Sequence, residues 1–365
     1  MFKNIYKDKK VIVTGHTGFK GAWMTSWLLK LGAKVVGISV DIPTSPSLFE
    51  ELGLSEKIID HRFNVLELEK VKDIFIEEKP DFVFHLAAQA IVSVSYLNPV
   101  STFATNVMGT VHVLEALRCL DNDCSAVIIT SDKCYDNVEW VWGYKETDAL
   151  GGRDIYSGSK GAAEIAFKSY YYSFFKNHPT VRIASARAGN VIGGGDWAKD
   201  RIVPDCMSAW FKGKPVEIRS PKATRPWQHV LEPISGYLNL GQKLAEDNSL
   251  HGESFNFGPK SESNYSVVQL LEDLSTHWNM KGIENVYSIT GDIPFHEAGL
   301  LKLNCDKALF YLKWLPTLDY NELIAFTSKW YFEFYHAKPN MWNYTISQLE
   351  NYEQIAKRKE LPWTY

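Results

Sequence analysis

The chain has 365 residues, 45% hydrophobic and 22% charged, which excludes a disordered polypeptide or a membrane bundle and allows one large domain or two at roughly 150 residues each. Lysines and arginines number 39 against 43 aspartates and glutamates, a formal net charge of −4; no basic block appears, so nucleic acid is not an expected partner. Five cysteines (Cys119, Cys124, Cys134, Cys206 and Cys305) include no C-x-x-C pair, which argues against a disulfide framework or a metal site and for a reducing compartment.

The first ten residues carry four lysines and run straight into an apolar stretch, unlike a signal peptide; the expected location is cytoplasmic, with no membrane. Short apolar runs at 11–14, 35–40, 82–86, 127–130 and 181–185 alternate with segments of helical period at 22–31, 71–78, 107–120 and 161–175. That alternation predicts an α/β fold with a doubly wound parallel sheet covered on both faces. Beyond residue 190 the texture turns to loops such as GGGDW and SPKATRPW, which predicts a smaller α/β C-terminal substrate lobe. The expected division is 1–190, with a returning segment at about 229–257, against 191–228 and 258–365. Ten aromatics between Trp330 and Tyr365, interrupted by charges, read as a docked terminal arm and not as a bilayer span.

Directly after the first predicted strand comes Thr14-Gly15-His16-Thr17-Gly18-Phe19-Lys20-Gly21, opening into a helix. Glycines spaced this way let the backbone turn tightly and let a pyrophosphate approach the helix N-terminus, where free amides and the helix dipole hold an anion. Asp41 lies 20 residues after Gly21 at the end of the second strand, where a carboxylate accepts from both ribose hydroxyls and repels a 2′-phosphate. The sheet is therefore expected to be Rossmann-type, with NAD as cofactor in preference to NADP.

Tyr156 and Lys160 stand four apart in YSGSK, a spacing that places both on one helix face. A phenol near pKa 10 is a poor base at neutral pH, but a neighbouring ammonium and a bound nicotinamide cation favour phenolate, which can take a proton from a sugar hydroxyl.

With these motifs the chain resembles the extended short-chain dehydrogenase/reductase family. Within it the resemblance is to the CDP-glucose 4,6-dehydratases, carried by TGHTGFKG (14–21), HLAAQ (85–89), NVMGTVHVLEA (106–116), TSDKCYDN (130–137), WVWGYKETDALGG (140–152), RAGNVIGGGDWAKDRIVPD (187–205) and RPWQHVLEPISGYL (225–238). The likeness implies oxidation of a CDP-sugar at carbon 4, elimination of water across carbons 5 and 6, and return of the hydride to carbon 6. It implies Tyr156 as base for the carbon-4 hydroxyl with Ser131 assisting, Asp132 as acid for the carbon-6 hydroxyl, and Lys133 as base at carbon 5. Lys133 can act so only if burial or a neighbouring cation lowers its pKa, which Asp132 opposes.

By the same likeness Gly15, Thr17, Gly18, Phe19, Gly21, Asp41, Asn64, Val65, Leu86, Ala87, Ala88, Asn106, Tyr156 and Lys160 bind the cofactor. Gln89, Asn190, Arg201, Arg219, Arg225 and His229 bind substrate, with Arg201 near the nucleotide base and Asn190, Arg219 and Arg225 at the diphosphate. Two positions depart from the pattern: Asn64 replaces an Asp that meets the adenine amine, and Ser93 an Arg in the loop after HLAAQ. Cys134 reads as a buried filler. The helix at 161–175 is apolar on more than one face, so a homodimer through it and the 107–120 helix is expected. A nucleotide-sugar 4-epimerase and a noncatalytic NAD-sensing protein are the alternative functions.

Overall fold

The computed structural model describes residues 1–260, 262–278, 286–290 and 300–365. Its centre is β1 (Lys10–Thr14), whose burial alternates between two cores: Val11 and Val13 face one, Ile12 the other, as a strand with side-chain period two requires. On either side lie β2 (Lys34–Ser39) and β4 (Phe82–His85), with β3 (Ile59–Arg62) outside β2 and β5 (Cys124–Ile129), β6 (Val181–Arg187) and β7 (Ser254–Asn256) beyond β4. All seven pair in parallel in the order β3-β2-β1-β4-β5-β6-β7. Strand order reverses between β1 and β4, the switch point where open α/β sheets hold ligands at the carboxyl edge.

The edge strand β3 has no apolar run to betray it, because it is half solvated: Ile59 is 49% exposed. Helix α1 (Phe19–Lys30) begins three residues earlier than its period suggests, so Gly21 sits in its first turn. Helices α2 (Leu68–Glu78), α3 (Gly109–Arg118) and α4 (Ile155–Tyr170) cover one face of the sheet, burying Val71, Phe75, Val113, Leu117 and Phe167 against Ile12, Val83 and Ile128. Asp154 caps α4 by accepting from the Ser157 amide at 2.9 Å, which starts the helix ahead of Tyr156 instead of at 161.

The other face is covered by α1 and, after α5 (Ile202–Phe211), by α6 (Leu231–Glu246), whose Leu238 packs in one core with Trp23, Phe84 and Val127. Three small ladders, α7 (Val267–Ser275) and α8 (Tyr320–Phe332) build the region beyond the carboxyl edge. The aromatic terminus docks: α9 (Met341–Arg358) sets Tyr352 edge-on to Trp27 at 5.6 Å, and Trp363 stacks on Phe2 at 5.2 Å. Among the described residues no helix is long and apolar enough to cross a membrane.

Candidate active site

The loop after β1 is a cradle that tolerates no side chain at Gly15 or Gly21. Gly15 has φ +75°, and a Cβ there would lie 2.7 Å from the Ala87 amide nitrogen; one on Gly21 would lie 2.1 Å from the Gly15 oxygen. Gly18 caps α1 with no side-chain hydrogen bond, so the Phe19, Lys20 and Gly21 amides of the first turn have no helical acceptor. Thr17 Oγ1 donates to the Asp41 carbonyl at 2.7 Å, tying the cradle to the end of β2 and leaving the Asp41 carboxylate exposed. His16 is buried, donating through Nε2 to Asp60 at 2.9 Å, and packs the loop.

On the neighbouring strand, the Ala87 amide donates to Thr14 Oγ1, which also bonds His85 Nδ1 at 2.7 Å. Burial, with the Lys160 charge adding, lowers His85 to about 3 and keeps it neutral. The Leu86 amide donates to the Thr14 carbonyl, so Leu86, Ala87 and Ala88 run along the glycine turn. Asn106 accepts from the Gln89 amide and donates to Ser159 Oγ at 2.8 Å, fastening this loop to α4. The side chain of Gln89 is engaged by Thr102 and the Ile91 amide. Asn64 Oδ1 accepts from the Leu66 amide at 3.0 Å, closing a turn, and buried Val65 rests where a Cβ on Gly109 would touch it.

The acid–base residues converge from β5 and α4. Ser131 Oγ donates to Asp132 Oδ1 at 2.9 Å and accepts from the Lys133 amide. Asn190 Nδ2 donates to Asp132 Oδ2 at 3.3 Å, and the carboxylate lies so flat on Gly189 that a Cβ there would fall 1.9 Å from it. Burial pushes the Tyr156 phenol up to about 12, against the Ser131 hydroxyl and the Arg201 guanidinium, which draw it down. Lys160 lies 6.0 Å from the Tyr156 ring centre, and burial lowers it to about 8. Lys133 is half-buried. Beside it the Cys134 thiol is fully buried and pushed up by desolvation, which suits a filler and not a nucleophile.

A cleft opens beside Asp132, lined by Asp132, Asn190, Gln228, Lys260, Lys302 and neighbours. Arg225, half-buried, donates to the Thr224 carbonyl, and Arg219 is exposed on the same region's surface. Arg201, expected near the nucleotide base, pairs with Asp196 at 2.7 Å, and its charge acts on Tyr156 and Lys20. His229 departs from the expected substrate contact. Its ring is 1% exposed between Trp23 and Phe326, its Nδ1 accepts from the Leu231 amide, and burial lowers it to about 3, so it brings no charge to a phosphate.

Sequence reasoning missed Lys20 and Tyr237. The Lys20 ammonium stands 5.8 Å from the Tyr237 ring centre; burial, then Arg201 and Lys160, lowers it to about 8, while Asp132 acts the other way. The loop showed a lysine before its last glycine; only the α1 direction shows that it turns toward Asp132. Glu164 and Arg187, which lie under the acid–base group, were also missed.

A family model described as GDP-mannose 4,6 dehydratase matches residues 12–327. The chain belongs to this family. It is 45% identical over 333 residues to a CDP-glucose 4,6-dehydratase of Salmonella typhimurium, covering 90% of this chain and 92% of the relative. Among solved structures, an epimerase from Methanothermobacter thermautotrophicus superposes with a TM-score of 0.79 at 22% identity, covering 92% and 96% of the two chains. A dTDP-glucose 4,6-dehydratase from Streptomyces venezuelae, solved with NAD bound, gives 0.76 at 18%, covering 89% and 97%. These two likenesses bear on the fold, and both agree with the sheet order expected of a Rossmann-type protein.

Proposed function

We propose that the protein is a CDP-glucose 4,6-dehydratase that converts CDP-glucose to CDP-4-dehydro-6-deoxyglucose and water with NAD as a recycled cofactor. The observation that carries this reading is the convergence of Ser131 and Asp132 from β5 with Tyr156 and Lys160 from α4, at the edge where the glycine cradle opens. Gly15, Gly18, Gly21 and the first-turn amides of α1 would hold the cofactor pyrophosphate, and the exposed Asp41 carboxylate would accept from the adenosine ribose hydroxyls. Bound NAD supplies the acceptor for the carbon-4 hydride and its return to carbon 6.

The chain's own groups do the proton work. Tyr156 is held as a neutral phenol by burial, so its ionisation depends on positive charge gathered in the closed site. It takes the carbon-4 hydroxyl proton while Ser131 holds the oxygen. Asp132, in its protonated form, gives its proton to the departing carbon-6 hydroxyl; Lys133, in its neutral form, receives the carbon-5 proton, acidified by the new ketone, and returns a proton to carbon 5 as the hydride comes back to carbon 6. Asn190, Arg225 and Arg219 bind the diphosphate as donors and cations. An epimerase of the same family needs Tyr156 and Lys160 but not an acid for carbon 6; the buried Asp132 favours the dehydratase.

Residues 1–190 with the 229–257 return are proposed as the NAD-binding domain, and 191–228 with 258–365 as the nucleotide-sugar lobe. A second copy of the chain is proposed to cover the exposed Met108, Ile165, Tyr172 and Phe174; sedimentation as a monomer at micromolar concentration contradicts this. The proposed location is cytoplasmic. Incubation with CDP-glucose and NAD tests the activity: the base-dependent absorbance of a 4-keto sugar is expected, a 4-epimer would show an epimerase, and no conversion a sensor.

A further inference from the structure

Beneath the acid–base group lies a charged pair that the chemistry above does not use. Glu164, one helical turn beyond Lys160 on α4, and Arg187, at the end of β6, are 1% and 3% exposed in their side chains and meet at 2.8 Å. Glu164 Oε1 accepts from Thr130 Oγ1, and Oε2 accepts from Ser185 Oγ at 2.9 Å as well as from Arg187 Nη2. Arg187 Nη1 donates to the Tyr135 hydroxyl at 2.7 Å, which donates to Asn256 Oδ1 on β7. A buried ion pair adds little net stability, because both charges are desolvated and apolar replacements of similar volume are tolerated. Its partners here are more telling than its strength: Thr130 immediately precedes Ser131, Asp132 and Lys133, and Tyr135 closes the same turn.

We propose that Glu164 and Arg187 are positioning residues, which lock the 130–135 turn to the helix face bearing Tyr156 and Lys160 and so set the spacing of the two halves of the acid–base group. One carboxylate joins them: Glu164 moves with α4, and through Thr130 it holds the end of β5. Arg187 keeps that carboxylate ionised and grips the far end of the turn through Tyr135. The pair also sets the charge around Lys160. That amine is faced by Glu164 on α4, Cys134 after β5, His85 on β4, Lys20 on α1 and the Tyr156 ring; Glu164 is the nearby carboxylate that keeps its proton on.

The inference rests on the dehydratase reading, and its test separates the two. In the double variant E164L/R187M the expected result is a folded protein whose kcat for CDP-glucose falls on the order of 100-fold, as a small misplacement of reacting groups costs, with KM little changed. Its high-pH loss of activity moves to lower pH, because Lys160 sheds its proton more easily without Glu164. The milder T130V leaves the ion pair intact and cuts only the tie to β5; kcat is expected to fall roughly 10-fold with the pH limb in place. A merely structural pair would lower Tm and leave kcat and the pH limb alone. Parental kcat and pH limb in a folded E164L/R187M overturn the proposal, and if that variant does not fold, parental kcat in T130V does so. If the parent chain does not convert CDP-glucose, the dehydratase reading fails instead. The pair is then judged by the pH dependence of Lys160 acylation with acetic anhydride: an unmoved profile in E164L/R187M, or in E164Q should that variant not fold, overturns it.

Discussion

Ser131, Asp132, Tyr156 and Lys160 are each at most 8% exposed, whereas at the other end of the proposed site Lys260, on the cleft wall, and Arg219 are exposed, and Lys302, on that wall, and Arg225 are half-buried. At the first end the polar groups sit on or directly beside regular structure: 131–133 form the short turn just after β5, α4 carries 156 and 160, and Gly189, under Asp132, lies two residues past β6. At the second end the cations hang on loops and two-residue ladders. Charges in a dry, fixed setting interact strongly and cost much when mispaired, while solvated ones are screened and interchangeable. Substitutions should therefore separate the two ends by orders of magnitude.

The largest effect is expected at Asp132. In Asp132→Asn the shape remains but the proton for the carbon-6 hydroxyl is gone, so turnover should fall on the order of 10³- to 10⁴-fold, with a 4-keto sugar accumulating while NADH absorbance persists. Unimpaired turnover removes Asp132 as the acid. Next comes Lys133→Met: hydride transfer stays detectable, and exchange of the carbon-5 proton with deuterium oxide is lost. Exchange at the parental rate would instead move the base role elsewhere, Lys20 being the other amine that faces Asp132.

A third prediction concerns stability at the dry end. Burial lowers Lys160 in the folded chain to about 8 from its ordinary 10.5, so folding works against its charged form. That penalty is present in full below about pH 8, shrinks as pH rises from there, and is gone above about 10.5. Lys160→Met should therefore stabilise the cofactor-free protein by up to about 3 kcal/mol at pH 7, with activity lost. Paired Tm measurements at pH 7 and near pH 10 check this: a gap that fails to narrow at the higher pH removes desolvation of Lys160 as its cause.

What could be read in the sequence follows the same division between local and assembled features. The cradle was legible because its turn, its helix start and its glycines are contiguous, and Tyr156 and Lys160 because i and i+4 share a face wherever the helix begins. The strand β3 was not, since Ile59-Asp60-His61-Arg62 lies at a half-solvated edge and carries no hydrophobic run. Glu164 and Arg187 were invisible for a different reason: they meet only when β6 lies beside β5 in the observed register; Glu164 stands in no motif, and Arg187 only opens the 187–205 string, with no role assigned to it there. Arg201 was legible as a cation but not as a neighbour of Tyr156, because its direction depends on the Asp196 it pairs with. His229 was expected to bind substrate by the resemblance alone; the packing of Trp23 and Phe326 around it decides otherwise.

The smallest effect is expected at the solvated end. Arg219 is exposed at the end of a three-residue strand, Val216–Ile218, and its charge also acts on Asp205 in α5. In the proposed site Arg219 meets a phosphate as an exposed, screened cation and shares that task with Arg225, so Arg219→Ala should cost at most about 1 kcal/mol of binding, seen as a KM for CDP-glucose raised about 2- to 5-fold with kcat unchanged. The accompanying change at Asp205 gives an internal control. Burial, with Asp200 and Asp196, raises that carboxyl to about 6, and Arg219 opposes the rise, so the variant should move the Asp205 titration further up. If KM holds while the Asp205 resonance moves, Arg219 serves the lobe's own charge balance and the diphosphate is left to Arg225. A kcat loss of 100-fold or more would erase the contrast between the two ends, because it would place a loop cation in the same class as Asp132.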